Sequence, residues 1–433
     1  MIYELSEKAQ FPHIIPYVVF IGLFLSTVYC AISSWTPSIH FDLNPWVLPF
    51  YFVASAFTFL IILDDNLISR LGHKIGIVFA HSFLTRIISI ILFFPGSSGD
   101  PWYHLAHERT WYNTGMYYFS FLPPPLRSLT PEIQTAISRV YVYQRAATQA
   151  TLVVVLSRML NIDVYIVHLC LIGVLWSFFI PAIAIKTTKA LGASNRASLL
   201  AGVLAASAPI LLAWSFIEVP NSLGFIFFAA TVYFSAKLLT SNAKRKYGLL
   251  AFAATMVSLL THNMTGLVSL AVLLLALALM IYYSNKSRTR KSDLFMLFLG
   301  LAASSMLLPA ATVGMQLIYP IKSSLSLQKF LDLSVYEIIL ANYSDYTFVE
   351  GITFGTLSFL AVVGITLKTK DSKGRVVQIF LALTFAILMA QHRIFFYFVD
   401  PPPLKAKRFQ PFVPFVIAPL AAFAVDNLFR WFT

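Results

Sequence analysis

The feature that most constrains this chain is a succession of apolar runs, each close to the length of a bilayer crossing, with almost no charge inside them. A helix needs about 20 mainly apolar residues to span the hydrocarbon core. Twelve runs qualify: Ile14–Ser34, Val47–Leu63, Ile75–Phe94, Val164–Ile185, Ala197–Phe216, Asn221–Leu239, Tyr247–Leu260, Thr265–Tyr283, Leu294–Ile318, Gly351–Leu367, Val376–Gln391 and Phe409–Leu428. Composition agrees. Hydrophobic residues make up 58% of the chain and charged residues 11%, against roughly 45–50% and about 25% in soluble domains. Mean hydropathy is +0.76. A soluble enzyme and a disordered chain are both excluded. The expected fold is an all-α polytopic membrane protein with twelve spans, thirteen if residues 146–160 also cross. The first run is longer than a signal-peptide core and no small cleavable segment follows it, so it reads as a retained span. Cys30 and Cys170 both fall in apolar runs, which argues against a structural disulfide.

Charge sets the expected sidedness. The net charge is +13, and nucleic-acid binding is the weaker reading of it, because the basic residues cluster in loops between spans. Lys186, Lys189 and Arg196 form one cluster; Lys244, Arg245 and Lys246 another. Lys286, Arg288, Arg290 and Lys291 form a third, and Lys368, Lys370, Lys373 and Arg375 a fourth. With the twelve spans all four fall on one side, together with Arg70, Lys74 and the N-terminus. By the positive-inside rule that side is cytoplasmic. Counting Ala146–Leu160 as a span would reverse every later loop, so it is expected to lie along the membrane within the outer loop 95–163.

The stretch richest in chemistry directly follows the third span: Gly99-Asp100-Pro101-Trp102-Tyr103-His104-Leu105-Ala106-His107-Glu108-Arg109. Asp followed by Pro is a helix start, with Asp100 as N-cap and Pro101 at the first helical position. His104, Glu108 and Trp111 then recur at helical spacing. Capping alone accounts for Asp100 as well as catalysis does. Two other outer segments carry polar groups: Glu218 with Asn221 after Ala208-Pro209, and His262 within Leu260-Thr261-His262-Asn263-Met264-Thr265-Gly266. Asn221 also reads as a helix cap, and His262 as an interfacial histidine.

A Gly-Asp-x-x-x-His outer loop after a span, followed by a short helix and many hydrophobic spans, resembles the GT-C superfamily of membrane glycosyltransferases. That superfamily includes protein mannosyltransferases, oligosaccharyltransferase catalytic subunits and aminoarabinose transferases. The likeness is nearest to prokaryotic or archaeal members, and it covers roughly Ile75 to the C-terminus. The chain then reads as one transmembrane domain: 1–74 supply two extra spans, and 75–433 form the GT-C-like module with its loop 95–163. The resemblance implies that Asp100 is the catalytic base. It places Glu218 at the acidic position of the second family loop, His262 in a Ser/Thr-His-x-x-Thr-like pattern at the outer end of a span, and Arg408 before the last span. His104, Glu108, Glu218, His262 and Arg408 become the expected substrate-binding residues. The implied donor is a polyprenyl- or dolichyl-phosphate sugar, inverted on transfer to a glycan, lipid or protein acceptor outside the cell membrane. No cofactor is expected, since the family's Asp-x-Asp pair is missing and position 102 is Trp. If Mn²⁺ or Mg²⁺ is used, Asp100, His104 and Glu218 are the expected ligands. Three rival readings remain, one of them a non-catalytic membrane scaffold, which would leave the Asp100/His104/Glu108 stripe, Glu218 and His262 converging on nothing. A flippase or transporter of lipid-linked saccharide predicts ionisable residues in mid-span, of which Arg86 and His81 are the main examples. A surface-polysaccharide ligase or polymerase would not hinge on a loop Asp.

Overall fold

The computed structural model describes residues 11–34, 44–92, 99–115, 147–208, 211, 220–284, 348–369, 371–398 and 410–432. These residues form thirteen α-helices, one 3-10 turn and no strand. In chain order the helices are α1 (Phe11–Ser33), α2 (Val47–Leu63), α3 (Leu71–Leu92), α4 (Gly99–Thr114), α5 (Ala147–Leu160), α6 (Val164–Ala190) and α7 (Asn195–Ser207). There follow α8 (Pro220–Thr240), α9 (Lys244–Thr261), α10 (Asn263–Ser284), α11 (Phe348–Thr366), α12 (Ser372–Phe398) and α13 (Val413–Phe432). The protein is a polytopic helical membrane protein. Seven helices among the described residues are long and apolar enough to cross a bilayer: α1, α3, α6, α8, α10, α12 and α13. Helices are the open-chain solution in lipid because they satisfy every backbone group internally.

Four of the twelve expected spans are not among these seven: α2 and α11, whose apolar stretches Val47–Leu63 and Gly355–Thr366 are shorter, and α7 and α9. α7 stops at Ser207, not Phe216, and Ala208 is extended. Its 13 residues rise about 20 Å, short of the roughly 30 Å hydrocarbon core. α9 has the length but opens on Lys244, Arg245 and Lys246. The run Leu294–Ile318 lies outside the described residues.

Contacts between turns sort the helix ends. Asp426, near the end of α13, accepts from Ser194 Oγ and Arg196 Nε in the α6–α7 connection. Gly374 at the start of α12 packs so closely on the Leu191 carbonyl that a Cβ would stand 2.3 Å from its oxygen. Gln378 of α12 donates to the carbonyls of Gly364 and Leu367 at the end of α11. The basic turns 186–196 and 372–375 therefore share one end of the bundle. α5 meets the other end at both of its termini: Leu160 leads through one turn into the start of α6, and Thr148 Oγ1 donates to Leu260 O at the far end of α9. So both ends of α5 meet the same end of the bundle.

The interior is packed rather than collapsed, since lipid is as apolar as leucine and supplies little drive for helices to associate. An aromatic knot joins the elements. Phe412 in the 3-10 turn meets Phe225 and Phe228 of α8 edge-on, at centroid distances of 4.9 and 4.7 Å. Trp176 of α6 stands edge-on to Phe225 and Phe415. Each such pair contributes roughly 0.5–1.5 kcal/mol beyond area burial.

Candidate functional site

The helix that opens on Gly99-Asp100 packs across the starts of two others. Leu105 is buried among Val153 of α5 and Val164 and Val167 of α6. Spaced three and four residues further on, Glu108 and Tyr112 follow on the same face of α4. Arg158 of α5 donates from Nη2 to Tyr112 O at 2.8 Å, satisfying one of the carbonyls that a helix end leaves open. α4 begins at Gly99, so Asp100 sits in its first turn and not at the cap. A carboxylate is favoured there by the positive end of the helix dipole.

Two turns along α4 from Asp100, Glu108 and His168 form a buried pair. His168 Nδ1 donates to Glu108 Oε2 at 2.7 Å, and the two side chains are 1% and 2% exposed. His168 stands on the second turn of α6, whose start is fixed by Asp163: its carboxylate accepts from Tyr165 N at 2.8 Å. With Nδ1 engaged by a carboxylate, Nε2 of His168 is left as the free ring nitrogen. It is buried and has no hydrogen-bond partner among the described residues. Burial pushes the Glu108 carboxyl above the usual range, while the hydrogen bond from His168 pulls it the other way. His104, one turn before Glu108, is lowered to about 4, chiefly by burial and then by His168 and His107. It is therefore neutral at physiological pH. A polar cavity of about 420 Å³ opens alongside, lined by Arg109, Tyr112, Asn113, Asn161, Ile162 and Asp163. Arg109 and Asp163 face each other across 3.4 Å at its rim, both more than half exposed.

The sequence-expected site residues divide accordingly. His104 and Glu108 come together on α4, with the Glu108 carboxylate on His168. His262 ends α9 in extended backbone, and its carbonyl accepts from Thr265 Oγ1 and Gly266 N. That turn lies at the same end of the bundle, because Thr148 of α5 reaches the adjacent Leu260 carbonyl. The Asp100 side chain, Glu218 and Arg408 lie outside the described residues, and with them the expected convergence of Asp100, Glu218 and His262. Of the three alternative metal ligands, Asp100, His104 and Glu218, only the His104 side chain is described. No three His, Cys, Asp or Glu side chains among the described residues are grouped to hold a metal ion.

Sequence reasoning missed His168. The signal was available: it is an ionisable residue within an apolar run, and such residues in membrane helices are functional candidates by default.

Comparison with known proteins adds a family. The profile described as "Family of unknown function (DUF6541)" matches residues 147–433, about two thirds of the chain. The match begins at α5 and leaves the Asp100–Glu108 helix outside it. No curated protein and no solved structure matches the chain.

Proposed function

We propose that this chain, which belongs to the DUF6541 family, is a membrane glycosyltransferase that moves a sugar from a polyprenyl-phosphate donor to an acceptor on the extracytoplasmic side of the cell membrane. The observation that carries the reading is the polar layer at the end of the bundle opposite the basic turns. There a carboxylate in the first turn of α4 precedes a neutral His104 and a buried Glu108–His168 pair, beside a polar cavity. Chemistry and sidedness point to the same end.

In the proposed reaction the acceptor hydroxyl or amine loses its proton to Asp100 as it attacks the anomeric carbon. The bond from that carbon to the phosphate oxygen breaks in the same displacement, and the configuration inverts. The lipid phosphate leaves as an anion, so it needs positive charge nearby more than it needs a proton. Arg408 is the proposed partner there, with His262 and Glu218 contacting the sugar. Glu108 and His168 act one layer down: they fix α4 against α6 and so hold Asp100 in place. No metal is required in this scheme, because a leaving phosphate can be met by cations of the chain. Purified protein incubated with radiolabelled polyprenyl-phosphate sugars and candidate acceptors, with and without EDTA, tests it. Transfer with inversion, unchanged by EDTA, is the expected result.

A flippase of lipid-linked saccharide is the second reading, and one observation favours it: Arg86 and His81 are fully buried in mid-helix on α3. Movement of a fluorescent lipid-linked saccharide across proteoliposomes without sugar transfer would replace the first reading by the second.

A further inference from the structure

Among the described residues the most anomalous group outside α4 and its partners is an arginine on α3. Arg86 is 1% exposed, six residues from the end of α3 and inside a membrane-spanning helix. Its Nη1 donates to Ala206 O at 2.8 Å, and its guanidinium carbon stands 5.9 Å from the centre of the Trp176 ring. No carboxylate among the described residues lies within ion-pair distance. Nε and Nη2 are buried and have no hydrogen-bond partner among the described residues. Guanidinium does not shed its proton in proteins, so this is a fixed charge in a water-poor interior. A carbonyl and an aromatic face offset part of that charge, and the rest calls for an anion.

Two further observations converge on the same place. First, the backbone breaks there. α7 ends at Ser207, and Ala206 O belongs to the last turn of carbonyls that the helix cannot satisfy. Irregular backbone at membrane depth is tolerated where it is buried in protein or lines a cavity. Second, among the described residues the neighbouring polar atoms on α3 are open as well. Ser82, one turn before Arg86 on the same face, is buried with an unpartnered Oγ. His81 reaches Ser207 Oγ through Nε2 at 2.9 Å, stacks on Tyr51 of α2, and leaves Nδ1 unpartnered. A structural clasp for the end of α7 would use one arm of Arg86. It would not need to bury two more guanidinium nitrogens, a hydroxyl and an imidazole nitrogen without partners, each at a cost in stability.

From this geometry we infer that Arg86, Ser82 and His81 form an intramembrane binding site for a phosphate group carried on an apolar tail. The guanidinium edge Nε–Nη2 matches two oxygens of a phosphate in the forked geometry that arginine favours, and Ser82 supplies a further donor. The apolar helices around the site suit the tail. This assignment does not depend on sugar transfer, since a transferase donor and a flippase cargo both present such a phosphate. It also differs from the cation expected from the sequence, Arg408.

The test uses the full chain in a neutral detergent and follows thermal unfolding against three probes: dodecyl phosphate, inorganic phosphate and the uncharged dodecyl maltoside. Ligands that bind only the folded state raise the midpoint in proportion to occupancy. Dodecyl phosphate should stabilise the wild type at concentrations where dodecyl maltoside does not. Inorganic phosphate should act only at much higher concentration, because it lacks the tail. Arg86→Gln should weaken the dodecyl phosphate response by about tenfold or more, and Arg86→Lys, which keeps the charge but not the fork, should fall between. Equal responses of the wild type to dodecyl phosphate and dodecyl maltoside would overturn the site without recourse to any variant. So would an unchanged response in a folded Arg86→Gln protein. If Glu218→Gln lowers the midpoint as much as Arg86→Gln while dodecyl phosphate affects none of the three proteins, the guanidinium is paired within the chain and the inference fails.

Discussion

Among the described residues two carboxylates are buried, at opposite ends of the bundle, and their surroundings differ in kind. Asp426 of α13 is saturated: Arg196 Nε donates to Oδ1 at 2.6 Å, and Ser194 Oγ and Arg430 Nη2 donate to Oδ2 at 2.7 and 3.0 Å. Among the described residues Glu108 of α4 is met by His168, and that histidine carries an open Nε2 into the interior. A fully satisfied buried charge ties elements together, here α13 to the α6–α7 connection. A half-satisfied one holds a group in a fixed orientation with capacity to spare. The first pattern reads as structure and the second as the support of a site.

The comparison can be broken at either end. Asp426→Ala strands Arg196 and Ser194 and should give the largest loss of stability, about 3–5 kcal/mol. Sugar transfer per folded molecule should hold. Thermal unfolding followed with a thiol-reactive dye measures the loss, using the two free cysteines, Cys30 and Cys170. His168→Ala removes the partner of a buried carboxyl and should cost somewhat less, about 2–3 kcal/mol, because Glu108 can take up a proton. Unlike Asp426→Ala, it should also depress turnover, since α4 loses its anchor. Equal turnover effects at the two ends would erase the distinction.

Acid should act selectively on the α4 end. The His104 pKa is lowered to about 4 in the folded protein from an ordinary 6.5. Its contribution is therefore complete above about pH 6.5 and is lost as pH falls towards 4, where the unfolded chain binds a proton that the folded one refuses. The slope is at most about 1.4 kcal/mol per pH unit. Glu108, shifted upward, changes in the opposite sense with pH. The comparison of wild type with His104→Gln isolates the histidine: the variant should show a flatter stability profile between pH 6.5 and 4. The smallest effect is expected from Arg430→Ala. Its side chain is 44% exposed, so solvent screens the pair and about 0.5 kcal/mol is at stake. A loss comparable to that of Asp426→Ala would mean that Arg430, not Arg196, carries the clasp.

Much of the architecture was legible in the sequence, because hydropathy and loop charge report directly on what lipid tolerates. The orientation of α5 is the clearest case: Ala146–Leu160 is apolar enough to span, yet the basic loops forbade it, and both of its ends meet one end of the bundle. The early stop of α7 was not legible. Nothing in the run Ala197–Phe216 before Pro209 marks a break, and it shows only in space, where Arg86 takes up the Ala206 carbonyl. Glu108 was found by its spacing from His104, but its partner was not. His168 is distant in sequence, and pairing across sixty residues depends on how α4 crosses α6, which periodicity along one helix does not encode.

Under the proposed function the α4 end of the bundle performs chemistry, with Asp100 as base. Transfer from a polyprenyl-phosphate sugar by wild type and by Asp100→Asn, in preparations matched for melting temperature, tests it most directly. A loss of at least about a hundredfold is expected in the variant, the scale of a positioned general base. Equal turnover in the two proteins would contradict it and leave Asp100 as a residue that does no more than start a helix.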